Sequence, residues 1–449
     1  MSAPFQVGID WGTHSSKICI VDPKGEYVVG PVFSSALLHH GDDLVFAPKG
    51  KVNQDELVRS LKSDLIQHSL SVPFWSRDDR PDSGTSLGEA VAFSLICLLS
   101  ETRRWLAKDY GEVELGQVEF GFSLPNWLAE DTRRATIAAG HFCEAVRVAI
   151  HIIAGQKTAD LPVPGKAFPI SRLKQLVVDS RAAIGDARDE HPSIEEVNKT
   201  AFSLTPEGLN WRFIVESGAA GLPYLRAMRL SNRPGVAGLA KLLVIDVGAG
   251  STDVGYMLKT SNVTTGAPTL YYFHPASTFA EAGNALTEEL VKYYRAQNKP
   301  ITWAEAEAEK IANTSWHKLP FVQLWIRHIC DHVAQYIHGV PDERWLPMPV
   351  KLHMVVTGGS GLVPGLKKQL HEAVTDALGR RKFDFKTDER LSVDAVDKYK
   401  PTFNLETEAE VARRAVSFGA ADPDKPGFRY MLKMDAPARP MRMGGRRWV

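Results

Sequence analysis

The sequence predicts an α/β protein in two lobes, built from a duplicated unit, with an anion held in the cleft between them. Three observations carry this. Lys241 to Met257, KLLVIDVGAGSTDVGYM, reads as an apolar strand ending at Asp246, a turn of small residues and a second strand from Thr252. Val7 to Val21, VGIDWGTHSSKICIV, repeats the pattern: setting Asp10 on Asp246 lays Gly12 on Gly248, Ser15 on Ser251 and Ser16 on Thr252. A third glycine-rich turn, Thr357-Gly358-Gly359-Ser360-Gly361, stands between a strand and a helix. One strand-Asp-glycine turn is also an ordinary hairpin. Its recurrence argues for an internal repeat.

The turns have a chemistry in common. Glycine lets the backbone approach a ligand closely. Amide groups bunched in such a turn form a concave anion site. A carboxylate at the strand end suits a hard cation such as Mg2+, which prefers oxygen ligands and rides on phosphates. The strand-glycine-helix junction near Gly358 is a second place for a phosphate or nucleotide.

Bulk properties agree with a soluble globular chain. At 449 residues it has room for two or three domains. Its formal net charge is zero, so no overall field points to nucleic acid or membrane. Cys19, Cys97, Cys143 and Cys330 lie among apolar residues without metal-ligand spacing, which reads as buried free thiols in a reducing cytoplasm. Asp10 falls where a secretory signal needs an apolar region. The most apolar helical run, Val91 to Leu99, is too short to span a bilayer.

In chain order, Phe5 to Asp22 is the first hairpin. Glu56 to Leu70 has apolar residues at helical spacing, with Lys62 on its polar side. A lone helix lysine is ordinarily solvated. Ser71 to Gly84 reads as a surface loop, Leu87 to Lys108 as a long helix and Val118 to Leu124 as a strand. A helix opens near Asn126, Glu130 and Asp131 and runs through Ala139. Residues 141–211 hold helical patches at Ile170 to Ala183 and Ile194 to Ala201. Glu216 precedes Gly218 to Gly221, a run of small residues that suits close helix packing; Glu216 itself is either part of that packing or part of the site.

After the second hairpin, Tyr271 to Phe279 reads as strand and loop, and a helix starts at Gly283 and runs through Arg295. Helices follow at Trp303 to Thr314 and Phe321 to His338. His328, His332 and His338 lack a thiol or carboxylate to complete a ligand set, so solvated or hydrogen-bonded helix histidines are expected. Val350 to Val356 is a strand, and Pro364 sits early in a helix to Leu378. Glu406 to Ala421 is a closing helix. Residues 422–449 are proline-rich and end in Arg439, Arg442, Arg446 and Arg447. They read as a disordered tail, or as a basic docking arm.

The three turns, in this order, resemble the nucleotide-binding signature of the actin-like ATPase superfamily, with its ribonuclease-H-like fold. GIDWGTHSSK is similar to the first phosphate loop, IDVGAGSTD to the second and VVTGGSGLVPGL to the adenosine loop. The nearest resemblance is to the nucleotide-binding domain of the heat-shock protein 70 (DnaK-like) family. FGFSLPNWLAEDTRRATIAAG, VESGAAGLPYL and EVARRAVSFGAA are similar to further segments of it, so the likeness runs over residues 5–421.

The resemblance implies a role for each matching residue. Asp10 and Asp246 would hold hydrated Mg2+. Gly12, Thr13 and His14 would face the phosphates of ATP or ADP from one side, and Gly248, Ala249, Gly250 and Ser251 from the other. Lys62, Glu216 and Asp253, with Thr13, would serve catalysis. Gly358, Gly359, Ser360 and Lys310 would contact ribose, base and phosphate. The chain departs from the family pattern at Ala249, a glycine in the family, and at Ile311 and Leu362, where arginines are expected beside the base.

The resemblance implies lobe I over residues 1–240 with an insert near 141–211, lobe II over 241–421 and a basic tail at 422–449. No peptide-binding domain is expected after the closing helix. The expected function is a cytoplasmic, Mg2+-dependent ATPase of chaperone-like type that controls a protein partner through the insert or the tail. The rivals are an actin-like filament subunit, a small-molecule kinase and a nucleotide-binding scaffold without turnover.

Overall fold

The computed structural model describes residues 4–50, 52, 57–59, 61–67, 70–71, 84–111, 113–124, 132–184, 210–228, 238–261, 270–340, 352–379, 408–422 and 429–430. The chain opens with strands β1 (Phe5–Asp10), β2 (Ser15–Val21) and β3 (Tyr27–Ser34). Short strands β4 (Leu37–His40), β5 (Asp43–Phe46) and β6 (Leu57–Val58) lead to helix α1 (Leu61–Gln67). Helix α2 (Leu87–Tyr110), strand β7 (Val118–Leu124), helix α3 (Thr132–Gly155), strand β8 (Ala167–Pro169) and helix α4 (Ile170–Ile184) follow. Strand β9 (Asn210–Val215) runs into helix α5 (Glu216–Ala227).

The second half begins with three strands, β10 (Gly238–Val247), β11 (Thr252–Ser261) and β12 (Leu270–Phe279). Helices α6 (Gly283–Ala296), α7 (Trp303–Ala312) and α8 (Pro320–Gly339) precede strand β13 (Leu352–Thr357). Helices α9 (Leu366–Gly379) and α10 (Glu408–Ala420) and strand β14 (Arg429–Tyr430) complete the described chain. The fold is mixed α/β. Among the described residues, no helix is long and apolar enough to cross a membrane.

Two five-stranded sheets organise it, in the orders β3-β2-β1-β7-β9 and β13-β10-β11-β12-β14. In each, an antiparallel hairpin (β1–β2, β10–β11) extends to a third antiparallel strand, and its first strand pairs in parallel with a later one. A smaller antiparallel sheet, β6-β4-β5-β8, is not hydrogen-bonded to either, but its Leu37, Leu44, Phe46 and Phe168 share the core of the first.

Side-chain alternation explains the layers, since successive strand residues point to opposite faces. Leu243, Ile245 and Val247 join the core beneath α8 and α9, while Leu242 and Val244 join the core with α5 and α10. The first sheet is covered on one face by α2 and α3, whose core includes Val7, Ile9, Phe120 and Phe122. Ser86 and Glu89 form a capping box that fixes the start of α2.

Helices α5 and α10 lie between the sheets and pack on each other. Helix α5 comes from the first half yet packs on β10 and β11; α10 comes from the second half yet packs on β1, β2 and β7. The approach is close. A Cβ on Gly8 would collide with the Ser417 carbonyl, one on Gly121 with that of Ala420, and one on Gly419 with that of Ala219. The small-residue run has the same purpose: a Cβ on Gly221 would strike Met257 and Val244.

Several sequence expectations are corrected. Within Glu56 to Leu70, Leu57-Val58 pairs with β4 as a strand, and the helix begins only at Leu61. The helix expected to end at Ala139 continues to Gly155, and its Phe142 stacks on Trp11 at 5.2 Å. Residue 141 therefore lies inside a core helix. Pro364 precedes α9, which starts at Leu366. In the tail, Asp422 is buried and Arg429–Tyr430 pairs with β12. The remaining tail, the patch at Ile194 to Ala201 and most of the loop at Ser71 to Gly84 lie outside the described residues.

Candidate functional site

A cleft of about 350 Å³ opens between the two large sheets. Its floor is made by two hairpin turns. Gly12, Thr13, His14 and Ser15 line it from the β1–β2 turn, and Gly248, Ala249, Gly250 and Ser251 from the β10–β11 turn. The turns face each other at close range: a Cβ on Gly250 would stand 2.7 Å from Thr13 Oγ1. The N-terminus of α6 braces the second turn, with the Gly283 and Asn284 amides donating to the Gly248 and Ala249 carbonyls at 3.0 and 2.8 Å.

The third turn closes the cleft from the side through Gly358, Gly359 and Ser360. Gly358 has φ +80°, and a Cβ there would lie 2.5 Å from Asp246 Oδ1. Both facts require glycine. Its amide donates to the Ala412 carbonyl at 3.1 Å, tying this turn to α10.

Four carboxylates gather at the inner end: Asp10 and Asp246 at the ends of β1 and β10, Asp253 on β11, and Glu216 at the start of α5. Each has a holder. Lys17 Nζ lies 2.6 Å from Asp10 Oδ2. Lys62 Nζ donates to both Glu216 oxygens, at 2.6 and 2.8 Å. The Thr357 hydroxyl donates to Asp246 Oδ1 at 3.1 Å. The Ser251 hydroxyl donates to Asp253 Oδ2 at 3.1 Å, and the Thr278 hydroxyl donates to Oδ1.

Charge in this region is unbalanced, with four carboxylates against the two ammonium groups of Lys17 and Lys62. Burial, reinforced by the negative charges of Asp253, Glu216 and Asp10, pushes the Asp246 carboxyl up to about 7. Burial likewise raises Glu216 above the carboxylate range, against the pull of Lys62. Burial opposes the Lys62 ammonium, but Glu216, Asp10 and Asp253 outweigh it and hold its pKa above the usual value. His14 is kept below its ordinary pKa chiefly by burial.

An acid-rich, oxygen-only cluster fits a divalent hard cation that keeps part of its water shell. Direct ligation by three side chains does not fit: among the described residues no group of three or more His, Cys, Asp or Glu could hold a metal. Asp246 and Asp10 suit an ion bound through water and ligand oxygens. Helix α8 offers no such set, since His332 pairs with Glu281 Oε2 at 3.1 Å and stacks on Phe279 at 4.4 Å.

The outer wall comes from α7 and α10. Glu307, Ala308 and Ile311 line it on one side, and Ala412, Arg413 and Val416 on the other. Lys310 does not reach the wall. Its ammonium is buried, bonded to Glu307 Oε1 at 2.6 Å, to the Thr287 hydroxyl at 3.1 Å and to the Gly283 carbonyl at 3.3 Å. Leu362 is half-buried and also absent from the lining.

All the expected phosphate-loop, metal and catalytic residues thus converge, and Lys310 is the expected contact that stands behind the wall. Lys17 and Arg413 were not anticipated. Extending the repeat alignment along the second strands would have flagged Lys17, which falls on Asp253. No protein-family model matches the chain, and no curated protein is detectably similar to it.

Proposed function

We propose that the chain binds ATP with Mg2+ in this cleft and hydrolyses it, as a chaperone-like switch of the heat-shock protein 70 type on a duplicated, actin-like frame. One observation carries the reading: two glycine turns, one from each large sheet, meet across the cleft with a buried aspartate behind each. The strand orders support the duplication, since β3-β2-β1-β7 and β12-β11-β10-β13 repeat one pattern.

The assigned roles follow from chemistry. Phosphoryl transfer needs positioning and charge stabilisation above all. Amides and hydroxyls of the turns orient the phosphates. Asp246 and Asp10 would hold Mg2+ through water, and the ion would supply positive charge to the phosphate oxygens. Lys62 Nζ, fixed by both Glu216 oxygens, points a donor at the attacking water, and Asp253 accepts a hydrogen bond from it. Ile311 gives the base an aliphatic wall. Nucleotide state would be passed to a protein partner by the segment near 141–211 or by the tail at 422–449, parts of which lie outside the described residues.

The test is Mg2+-dependent ATP binding and phosphate release by the parent, Lys62→Ala and Asp246→Ala. Lys62→Ala should keep binding and lose release by about 100-fold or more. Asp246→Ala should lose Mg2+-dependent binding. A parent that binds no ATP would refute the proposal. A specific feature favours a second reading, a scaffold without turnover: the Lys62 ammonium is already chelated by Glu216. Tight binding with no phosphate release by the parent would select it.

A further inference from the structure

The two hairpins at the cleft differ in charge at one facing position. In the first, Asp10 stands directly across the strands from Lys17. In the second, Asp246 stands across from Asp253. These positions correspond, because laying Asp10 on Asp246 lays Lys17 on Asp253. Opposite charges across a sheet attract and like charges repel. The facing pair is therefore neutral in one hairpin and consists of two acids in the other.

The Lys17 pair is seated, not incidental. Its Nζ lies 2.6 Å from Asp10 Oδ2, with the side chains only 15% and 5% exposed. A Cβ on Gly12 would stand 3.7 Å from that Nζ, so the ammonium sits at the root of the first turn and lines the cleft. A tethered ammonium also competes for Asp10 at a high effective concentration, which a free ion must overcome.

We propose that Lys17 is a resident counter-ion: it does at Asp10 what an added cation does at Asp246, so a divalent ion is held on the second hairpin alone. Resting on the nucleotide reading above, the same ammonium is a built-in contact for a phosphate oxygen on the first hairpin. The metal assignment narrows accordingly. Asp10 answers to Lys17, and Asp246 with Asp253 answers to the ion.

Mn2+ binding to the nucleotide-free protein, followed by electron paramagnetic resonance, tests this without reference to catalysis. The parent should bind Mn2+ in a manner lost in Asp246→Asn and kept in Asp10→Asn. Lys17→Met should bind Mn2+ about tenfold more tightly, or at a second site, because an uncompensated carboxylate appears. Asp10→Asn in the Lys17→Met background should erase that gain. Lys17→Arg, which keeps the charge, should match the parent and guards against a folding artefact in Lys17→Met. Equal Mn2+ binding by the parent and a folded Lys17→Met would overturn the proposal, as would loss of binding in Asp10→Asn alone.

ATP titration in EDTA then separates the two claims. Residual metal-free binding by the parent, weakened in Lys17→Met, supports the phosphate contact. Absence of ATP binding in both EDTA and Mg2+, with the Mn2+ results as expected, rejects the nucleotide reading and leaves the counter-ion assignment standing.

Discussion

Asp246 concentrates the electrostatic problem of this molecule in one side chain. Its carboxyl is pushed from near 3.8 up to about 7 by burial and by Asp253, Glu216 and Asp10. An acid whose pKa is raised on folding binds more protons folded than unfolded, so stability falls as pH rises from about 4 to about 7. Above that window the full penalty is present, a few kcal/mol at about 1.4 kcal/mol per pKa unit. Asp246→Asn should therefore stabilise the protein at pH 8 and change little at pH 4, as urea unfolding at both pH values would measure. Mg2+ should stabilise the parent at pH 8 and leave Asp246→Asn unmoved. An equal gain at both pH values would remove the carboxylate cluster as its cause. The aspartates were legible in the sequence because each ends an apolar strand and the motif occurs twice. Lys17 is legible only by carrying the repeat on to Asp253, because a lysine between Ser16 and Ile18 taken by itself reads as the solvent face of a strand. Only pairing across β1–β2 shows that it points at Asp10.

Among the elements, α10 depends most directly on backbone contact. Gly8 and Gly121 on the first sheet, and Gly419 against Ala219, leave no room for even a methyl group. Gly419→Val should destabilise by about 1–3 kcal/mol or more, since overpacking cannot relax against main-chain atoms. Gly25→Ala is the contrasting case. Gly25 has φ +85° with nothing within 4 Å of its would-be Cβ, so only the backbone penalty of about 1 kcal/mol applies. Comparable losses in the two variants, by denaturant midpoint, would mean that α10 sits less tightly than described. Long elements were plain in the sequence, α2 from its apolar helical face and β10 from its apolar run into Asp246. The small sheet was not. Its strands Leu37–His40 and Asp43–Phe46 are four residues each, too short to show a period. Leu57-Val58 was absorbed into a helical pattern that tertiary pairing with β4 overrides.

At the level of the whole molecule, the interleaving of α5 and α10 governs how the two halves depend on each other. Residues 1–237 made alone would lack α10, and β1, β2 and β7 would lose the helix that covers them. Residues 238–449 made alone would lack α5, leaving Leu242, Val244 and Met257 without their partners. Each fragment should be unfolded or aggregated by circular dichroism, and the two together should recover the parent's spectrum. An independently folded, monomeric fragment would contradict this. The two strand-turn-strand hairpins, one in each large sheet, were legible from the repeat alone. The exchange of helices was not, because a sequence pattern shows which face of a helix is apolar and not which sheet it meets.

That exchange also dictates the mechanics. Two bodies joined by a flexible seam can swing apart freely, but these are dovetailed, each with a tongue set in the other's groove. Any opening of the cleft would have to move α5 against α10, and the Gly358 turn, fastened to α10 at Ala412, would go with α10.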